Sequence, residues 1–493
     1  MKSKKSIVLG ERVVNKNSIN KGFRFWLAFY AGRFSAFLCR LFRLSGTSLP
    51  GVVALKLCPQ LLFYLGSAYE KVIAVTGTNG KTTTTNLISY YLQQAGETVV
   101  GNGEGANMIS GVATALIKDC NLLGTAQSRT VVLEVDEGSV GKILPAVKPD
   151  LIVVTNYFRD QLDRYSELDQ IITLLRKTID GLPETELLLN ADDPLAVAVG
   201  RGRSAVRYYG VKGERDCKEV EENEIREGGF CPDCGELLAY NYYHYGQLGD
   251  YRCTKCSFKK PEPDFVALDV DDSDLLHFSL YLQNKNTGEQ EPQKGSLDLH
   301  SQLRGFYNVY NILAASAAAV IIGIPQQIIE ASLPDYSTAT GRLEQFIYQG
   351  RPCTLALIKN PIGVNEVIKT ILPQEGKKAF LIAINDLAGD GKDVSWLWDA
   401  DFEKLNQSMI SKVVCSGRRA AEMAVRLKYA GLVTSKIVIE PGCRESLEVL
   451  GLQKVDQYYI LASYTSLFNY AKLLRKMGKA VVNDAAQGLP SLS

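Results

Sequence analysis

The residues best suited to chemistry lie between Val72 and Ala95. The apolar run Val72-Ile-Ala-Val-Thr76 leads into Gly77-Thr-Asn-Gly-Lys-Thr-Thr83, and a helical pattern then continues to about Ala95 and stops before Gly96. Strand, glycine turn and helix N-terminus form a ready anion site. Gly77 and Gly80 let backbone N–H groups approach phosphate oxygens, Lys81 is placed for the β/γ-phosphates, and the Thr82 hydroxyl is placed for Mg²⁺. The loop is shorter than the general phosphate-binding pattern, which would put a glycine where Val75 stands. A second constellation is Cys231-Pro-Asp-Cys234 with Cys253-Thr-Lys-Cys256. Two such knuckles supply four thiolates to a tetrahedral, closed zinc site, so a structural zinc ribbon is expected there. His244 lies between the pairs and reads as an ordinary side chain, since four ligands already suffice.

These motifs need elements to hold them. Thr130–Val135, Asp150–Thr155 and Glu186–Asn190 read as buried parallel strands alternating with helical segments, which predicts a doubly wound α/β sheet with its ligand at the strands' carboxyl ends. Polar clusters fall at those ends. Glu134, within Leu133-Glu-Val-Asp-Glu-Gly-Ser139, can share a magnesium ion with Thr82. Asn156–Arg164 opens the next loop, and Asn190-Ala-Asp-Asp-Pro194 forms a third cluster. Singly, each acid could serve as a helix cap; three at successive strand ends point to a site. A second α/β unit follows Glu344, with strands at Thr354–Ile358, Ala379–Ile384, Lys412–Cys415 and Tyr458–Leu461 and a helix over Arg418–Ala430. Its most acidic and aromatic turn runs Asn385-Asp-Leu-Ala-Gly-Asp-Gly-Lys-Asp393 and on to Glu403, a make-up typical of functional loops.

At 493 residues with 46% hydrophobic and 22% charged, the chain can bury a large core and divide into two or three domains. Net charge of +1 offers no global field for nucleic acid. Tyr240, Tyr242, Tyr243 and Tyr245 crowd the cysteine knuckles, but only Arg252, Lys255, Lys259 and Lys260 flank them, too few to favour an oligonucleotide. Eleven cysteines, four of them in a metal pattern, suit a reducing cytoplasm. Residues 1–45 form a basic arm whose segment Phe23–Leu44 mixes large apolar residues with Arg24, Arg33, Arg40 and Arg43. Four arginines argue against a spanning helix, and no cleavage site marks a signal peptide. Two readings of this amphipathic helix stay open, packing on the main domain or settling on anionic lipid headgroups at the inner face of the plasma membrane, with a transit peptide a minor third.

In order along the chain, GTNGKT, the Glu134 strand end, LNADDP, NVYN (308–311) and GRLE (341–344) resemble the central ATPase domain of the Mur ligase family, which activates carboxylates as acyl phosphates. FRDQLDR (158–164), LIKNPIG (357–363), DGKDVSWLWDADFE (390–403), AVRLKYAG (424–431) and the four-cysteine insert bring the resemblance closer, to the MurT-type subunits of lipid II isoglutaminyl synthase, over about Phe23 to Met477. The resemblance implies a Mur-type ATP-binding domain over 46–340, interrupted by the zinc ribbon at about 226–262, and a Rossmann-like C-terminal α/β domain over 341–493. It implies ATP-dependent amidation of the α-carboxyl of D-glutamate in the lipid II stem peptide, with ammonia from a GatD-type glutaminase partner. Implied cofactors are ATP, Mg²⁺ and Zn²⁺. Implied site residues are Gly77, Thr78, Asn79, Gly80, Lys81, Thr82 and Thr83 on the phosphates, Thr82 and Glu134 on magnesium, Asn308 near adenine, Arg342 near the ribose, and Asp393 completing the partner's Cys-His pair. The chain's three histidines, His244, His277 and His300, form no motif with a nucleophilic cysteine, so ammonia must come from outside. Two departures from amino-acid-adding relatives stand out: Gln161 where a His is usual, and Leu175-Arg-Lys-Thr178 where a carbamylated lysine is expected. An amino-acid ligase of the Mur or folylpolyglutamate type is the alternative.

Overall fold

The computed structural model describes residues 21–42, 44–102, 106–159, 168–213, 228–273, 275–283, 296–337, 343–387, 389–477 and 479–480. Arg342, Gln161, most of FRDQLDR and the first 20 residues lie outside this set. The chain divides into two units, one holding Met1–Phe158, Glu167–Ser301 and Tyr307–Tyr336, the other Arg159–Ser166, Gln302–Phe306 and Ser337–Ser493.

In the first unit, the buried β-branched runs become strands β1 (Lys71–Thr76), β2 (Val99–Gly101), β3 (Thr130–Glu134), β4 (Leu151–Val154), β5 (Glu186–Asn190) and β6 (Val206–Val211). The insert contributes the antiparallel hairpin of β7 (Leu238–Tyr245) and β8 (Leu248–Cys253). After it come β9 (Phe265–Asp271), β10 (Leu276–Leu282) and β11 (Leu297–Ser301). Nine of these form one sheet in the order β11-β10-β9-β6-β5-β4-β1-β3-β2. It is parallel from β2 to β9 and antiparallel at the β9-β10-β11 edge. The central strands are buried on both faces, as continuous Val/Ile/Leu runs require. The doubly wound sheet predicted from the alternation is therefore present. In register, Val75 of β1 lies beside Glu134 of β3, so the glycine turn leaves the sheet next to that carboxylate.

The amino-terminal segment folds as α1 (Phe23–Leu41), α2 (Leu49–Leu57) and α3 (Leu61–Gly66). Phe25, Ala28, Phe29, Gly32 and Cys39 of α1 are buried, so packing on the main domain is realised. Gly32 keeps this packing close: an added Cβ would come within 2.9 Å of Ile117 Cδ1 and 3.1 Å of Ala54 Cβ.

The second unit has seven strands: β12 (Glu344–Tyr348), β13 (Arg351–Leu357), β14 (Lys378–Ala383), β15 (Ile410–Ser416), β16 (Ile437–Ile439), β17 (Gln457–Ala462) and β18 (Lys479–Ala480), ordered β16-β15-β14-β17-β13-β12-β18. Alternation along β14 explains its two cores: Phe380 and Ile382 enter one cluster with Met423 and Leu427, while Leu381 enters another with Leu450 and Leu474.

Candidate functional site

Gly77 and Gly80 hold φ of 117° and 86°, a left-handed backbone that admits glycine cheaply. Space forbids a side chain as well: a Cβ on Gly77 would lie 2.4 Å from Thr155 Oγ1, and one on Gly80 2.0 Å from Asn311 Oδ1. The loop is braced from the end of β4. Thr78 N–H donates to the Asn156 carbonyl at 2.7 Å, Asn79 N–H to Asn156 Oδ1 at 3.0 Å, and Phe158 N–H to Thr78 Oγ1 at 3.1 Å. Thr78 and Asn79 therefore spend their N–H groups on the scaffold. The donors left for an anion are the N–H groups of Gly80 to Thr83, which have no intrahelical acceptor because Thr84 N–H makes the first helical bond, to Gly80. The helix Lys81–Gln94 directs them past the loop. The buried Thr83 hydroxyl has no hydrogen-bond partner among the described residues. A polyphosphate suits this cradle.

Lys81 is buried, and its ammonium donates to the carbonyls of Gly77 and Thr78 and, at 3.0 Å, to Glu137 Oε2. Burial pulls its pKa down, but the carboxylates of Glu137, Glu134 and Asp136 outweigh that and hold it above the ordinary lysine value. Glu134 is fixed by two asparagines: Asn102 Oδ1 accepts its backbone N–H at 2.8 Å, and Asn107 Nδ2 donates to Glu134 Oε1 at 3.0 Å. Asn107 engages one carboxylate oxygen, and the half-buried Thr82 lies on the first helical turn, so the two residues offer a hard cation oxygen donors of the right kind. Glu137, Asn102 and Asn107 carry no role in the sequence reading, whereas Asn156 opens one of its three polar clusters. Of the three, Glu137 left a signal, as the third acid of the strand-end turn after Glu134 and Asp136.

Asn308, expected near a nucleotide base, is buried in the first turn of helix Tyr307–Ile321 and accepts from Asn311 Nδ2 at 2.8 Å. Asn311 is the side chain that lies over Gly80. The third polar cluster turns out to be scaffold. Asp193 caps the helix Pro194–Val199 by accepting from Leu195 N–H at 3.0 Å, and its other oxygen accepts from Tyr157 N–H at 2.7 Å. Asp192 accepts from Tyr310 Oη at 2.6 Å and Val211 N–H at 2.8 Å and lies 2.7 Å from the Lys260 ammonium. The capping role, the simpler alternative at these acids, holds for Asp193, while Asp192 is tied to Tyr310, Val211 and Lys260.

The four cysteine sulfurs lie within 4.8 Å of one another. Cys253 Sγ also accepts from the N–H groups of Lys255 at 3.3 Å and Cys256 at 3.4 Å, as a metal-bound thiolate in a tight knuckle does. An all-sulfur set of four on two turns fits zinc. Its hairpin is tied to the strand ends beneath the glycine loop. Tyr251 Oη donates to the Ala191 carbonyl at 3.1 Å, Gly249 N–H to the Asp192 carbonyl at 3.0 Å, and Gln247 Nε2 to the Tyr157 carbonyl. Of the tyrosines that raised the question of base stacking, Tyr245 is buried, while Tyr240, Tyr242 and Tyr243 are half-buried and Tyr240 stacks on Tyr243 with ring centroids 4.1 Å apart. His244 is buried too, its Nε2 4.0 Å from Asp192.

In the second unit, Arg426 organises the acidic and aromatic turn. Its guanidinium donates to the carbonyls of Leu397 at 2.8 Å and Ala400 at 2.7 Å and to Glu403 at 2.8 Å. Asp390 accepts from Thr465 N–H and Oγ1 at 2.8 and 2.6 Å. Asp393 is half-buried and, among the described residues, accepts from Ser395 N–H at 2.8 Å; Trp398 and Tyr429 are exposed, with ring centroids 5.7 Å apart.

Comparison with known proteins places this geometry. Residues 75–231 match the model of the Mur ligase middle domain, and 357–467 match that of the MurT ligase C-terminal region. The MurT subunit of lipid II isoglutaminyl synthase from Staphylococcus aureus (strain COL) is 35% identical over 84% of the chain and 90% of its own length. The chain belongs to the MurT branch of the Mur ligase family. The Streptococcus pneumoniae MurT subunit is likewise 35% identical, over 91% of the chain and 96% of its own. Solved structures agree on the fold. A pseudomurein peptide ligase type C from Methanothermus fervidus aligns with TM-score 0.63 at 22% identity, covering 82% of this chain and 78% of its own. MurF from Acinetobacter baumannii aligns with TM-score 0.60 at 16% identity, covering 86% and 79%. In this MurT-type chain Lys177, where a carbamylated lysine would be sought, is exposed on helix Leu168–Asp180.

Proposed function

We propose that the chain is the ligase subunit that uses ATP to amidate the α-carboxyl of D-glutamate in lipid II, giving D-isoglutamine. The observation that carries this reading is the junction of Lys81 and Glu134 at neighbouring parallel strand ends, in a chain related to MurT subunits over nearly their whole length. The substrate carboxylate attacks the γ-phosphorus of ATP, ADP leaves, and an acyl phosphate forms. Ammonia then attacks the acyl carbon, phosphate leaves, and the nitrogen loses a proton to give the amide. When bound, Mg²⁺ would neutralise phosphate charge, with Thr82 and Glu134 as its protein donors. Gly77, Thr78, Asn79 and Gly80 shape the cradle, Lys81 and Thr83 meet phosphate oxygens, and Asn308 and Arg342 serve the nucleoside. Cys231, Cys234, Cys253 and Cys256 would hold zinc as a structural staple.

Ammonia comes from a GatD-type glutaminase, with Asp393 orienting the imidazole of that partner's Cys-His pair. The exposed Trp398 and Tyr429 of the same unit suit a protein contact. The working division is an arm at 1–45, an ATP-binding domain at 46–340 and a partner-contacting domain at 341–493, acting in the cytoplasm at the inner membrane face. The test is reconstitution of chain, glutaminase, ATP and lipid II with either glutamine or ammonium. Asp393→Asn should keep the ammonium-driven reaction and lose the glutamine-driven one. Equal loss of both refutes the role of Asp393, and product formed only with an added amino acid refutes the amidation.

A further inference from the structure

Helix α1 is apolar on two opposite faces, and only one of them is covered. At 100° per residue, Phe23, Leu27, Tyr30, Phe34, Phe37 and Leu41 fall within about 40° of one line along the helix, whereas the buried residues lie on the other side. The uncovered line is well exposed: Phe23 at 81%, Phe34 at 62%, Phe37 at 59% and Leu41 at 62%. It continues sideways. Tyr30 Oη donates to the Leu122 carbonyl at 3.0 Å, in a loop where Leu122 and Leu123 are themselves exposed at 64% and 77%. On the neighbouring α2, Leu49, Val52 and Leu57 are exposed as well. An apolar patch of this extent marks an interaction surface.

Charge identifies the occupant. The chain has no Asp or Glu between Glu11 and Glu70, although its net charge is only +1. Arg24 and Arg40 are exposed and lie roughly 100° to either side of the apolar line, the position from which long basic side chains reach headgroups while the apolar residues enter the acyl region. Lys56 adds an exposed cation on α2. Among the described residues no helix is long and apolar enough to cross a membrane, and the packed face of α1 holds the helix against the domain. We infer that the outer face of α1, with α2 and the Leu122–Leu123 loop, docks the protein on an anionic phospholipid leaflet. Apolar insertion and a basic rim together supply the two signals that reversible membrane binding needs. The purpose of this docking rests on the lipid-linked-substrate reading above; the surface itself does not.

Co-sedimentation of the full chain with vesicles tests the inference. Binding to vesicles containing phosphatidylglycerol should be at least tenfold tighter than to pure phosphatidylcholine. Leu27→Ser/Phe34→Ser/Phe37→Ser should weaken it at least tenfold, and Arg24→Glu/Arg40→Glu should abolish the preference for phosphatidylglycerol. The thermal shift on adding nucleotide should match wild type in both variants, showing that the fold is intact. Wild type left in the supernatant, or a triple-serine variant that binds as tightly, overturns the proposal. So does loss by that variant of self-association or of glutaminase binding with vesicle binding unchanged, which would make the stripe a protein seat. Amidation of a short-chain, water-soluble lipid II analogue separates the two readings: its absence in wild type removes the proposed reaction, whereas vesicle binding stands or falls alone.

Discussion

Glu137→Gln isolates the ion pair between Lys81 and Glu137. The pair is 3.0 Å long, with side-chain exposures of 7% and 8%, so water screens it little. Removing one partner of a buried pair outright costs roughly 3–5 kcal/mol. Glutamine keeps the shape and an acceptor oxygen, and Lys81 keeps the carbonyls of Gly77 and Thr78 and the nearby Glu134 and Asp136, so the loss should be nearer about 2 kcal/mol. For a domain of about 300 residues that lowers the melting temperature by roughly 3 °C without nucleotide. Triphosphate supplies the missing anion, so ATP should raise the variant's melting temperature by more than it raises that of wild type. Calorimetry with and without ATP and Mg²⁺ reads both numbers. A variant that melts with wild type in the absence of nucleotide, or gains less from ATP than wild type does, would refute the claim that Glu137 competes with phosphate for Lys81.

Gly80→Ala imposes a left-handed conformation worth about 1–2 kcal/mol and drives a methyl into Asn311, so nucleotide affinity should fall at least tenfold. Adding Asn311→Ala should recover part of that loss; no recovery in isothermal titration would show that the clash is not the cause. Because the hairpin is tied to Ala191, Asp192 and Tyr157, verified zinc removal should lower the melting temperature and weaken nucleotide binding together. An unchanged melt would count against a structural zinc. Burial raises the Asp193 carboxyl to about 7, against 3.8 for the free group. An acid whose folded pKa is raised favours the fold below the unfolded value and loses that contribution as pH climbs toward the folded one, up to roughly 4 kcal/mol between about pH 4 and 7. Asp193→Asn cannot ionise, so wild type should lose stability relative to this variant from pH 5 to pH 8; parallel urea-unfolding curves would contradict the assignment.

Sequence periodicity located the strands because they are central and buried on both faces: Glu186–Asn190 was placed to the residue, and the strands at Lys378–Ala383 and Gln457–Ala462 to within a residue or two of each end. Residue type and spacing located the glycine turn and the cysteine knuckles because each chemistry tolerates few alternatives. What stayed illegible was how shared resources are divided between scaffold and site. Nothing in Asn190-Ala-Asp-Asp-Pro194 distinguishes a ligand from a cap; the decision was made by Tyr157, Tyr310, Val211 and Lys260, which reach Asp192 and Asp193 from four other segments. Lys260 had counted as a cation for a polyanion, yet it is spent internally, its burial offset by Asp192. The same logic ties the cysteine insert to the glycine turn. Its hairpin grips the carbonyl of Tyr157, whose N–H is gripped by Asp193, and the next residue, Phe158, donates to Thr78 in the glycine turn. Hydrogen bonds thus tie the hairpin of the cysteine insert to the glycine turn without any sequence proximity between them, which is why a motif-by-motif reading treats as two independent features what the fold joins into one.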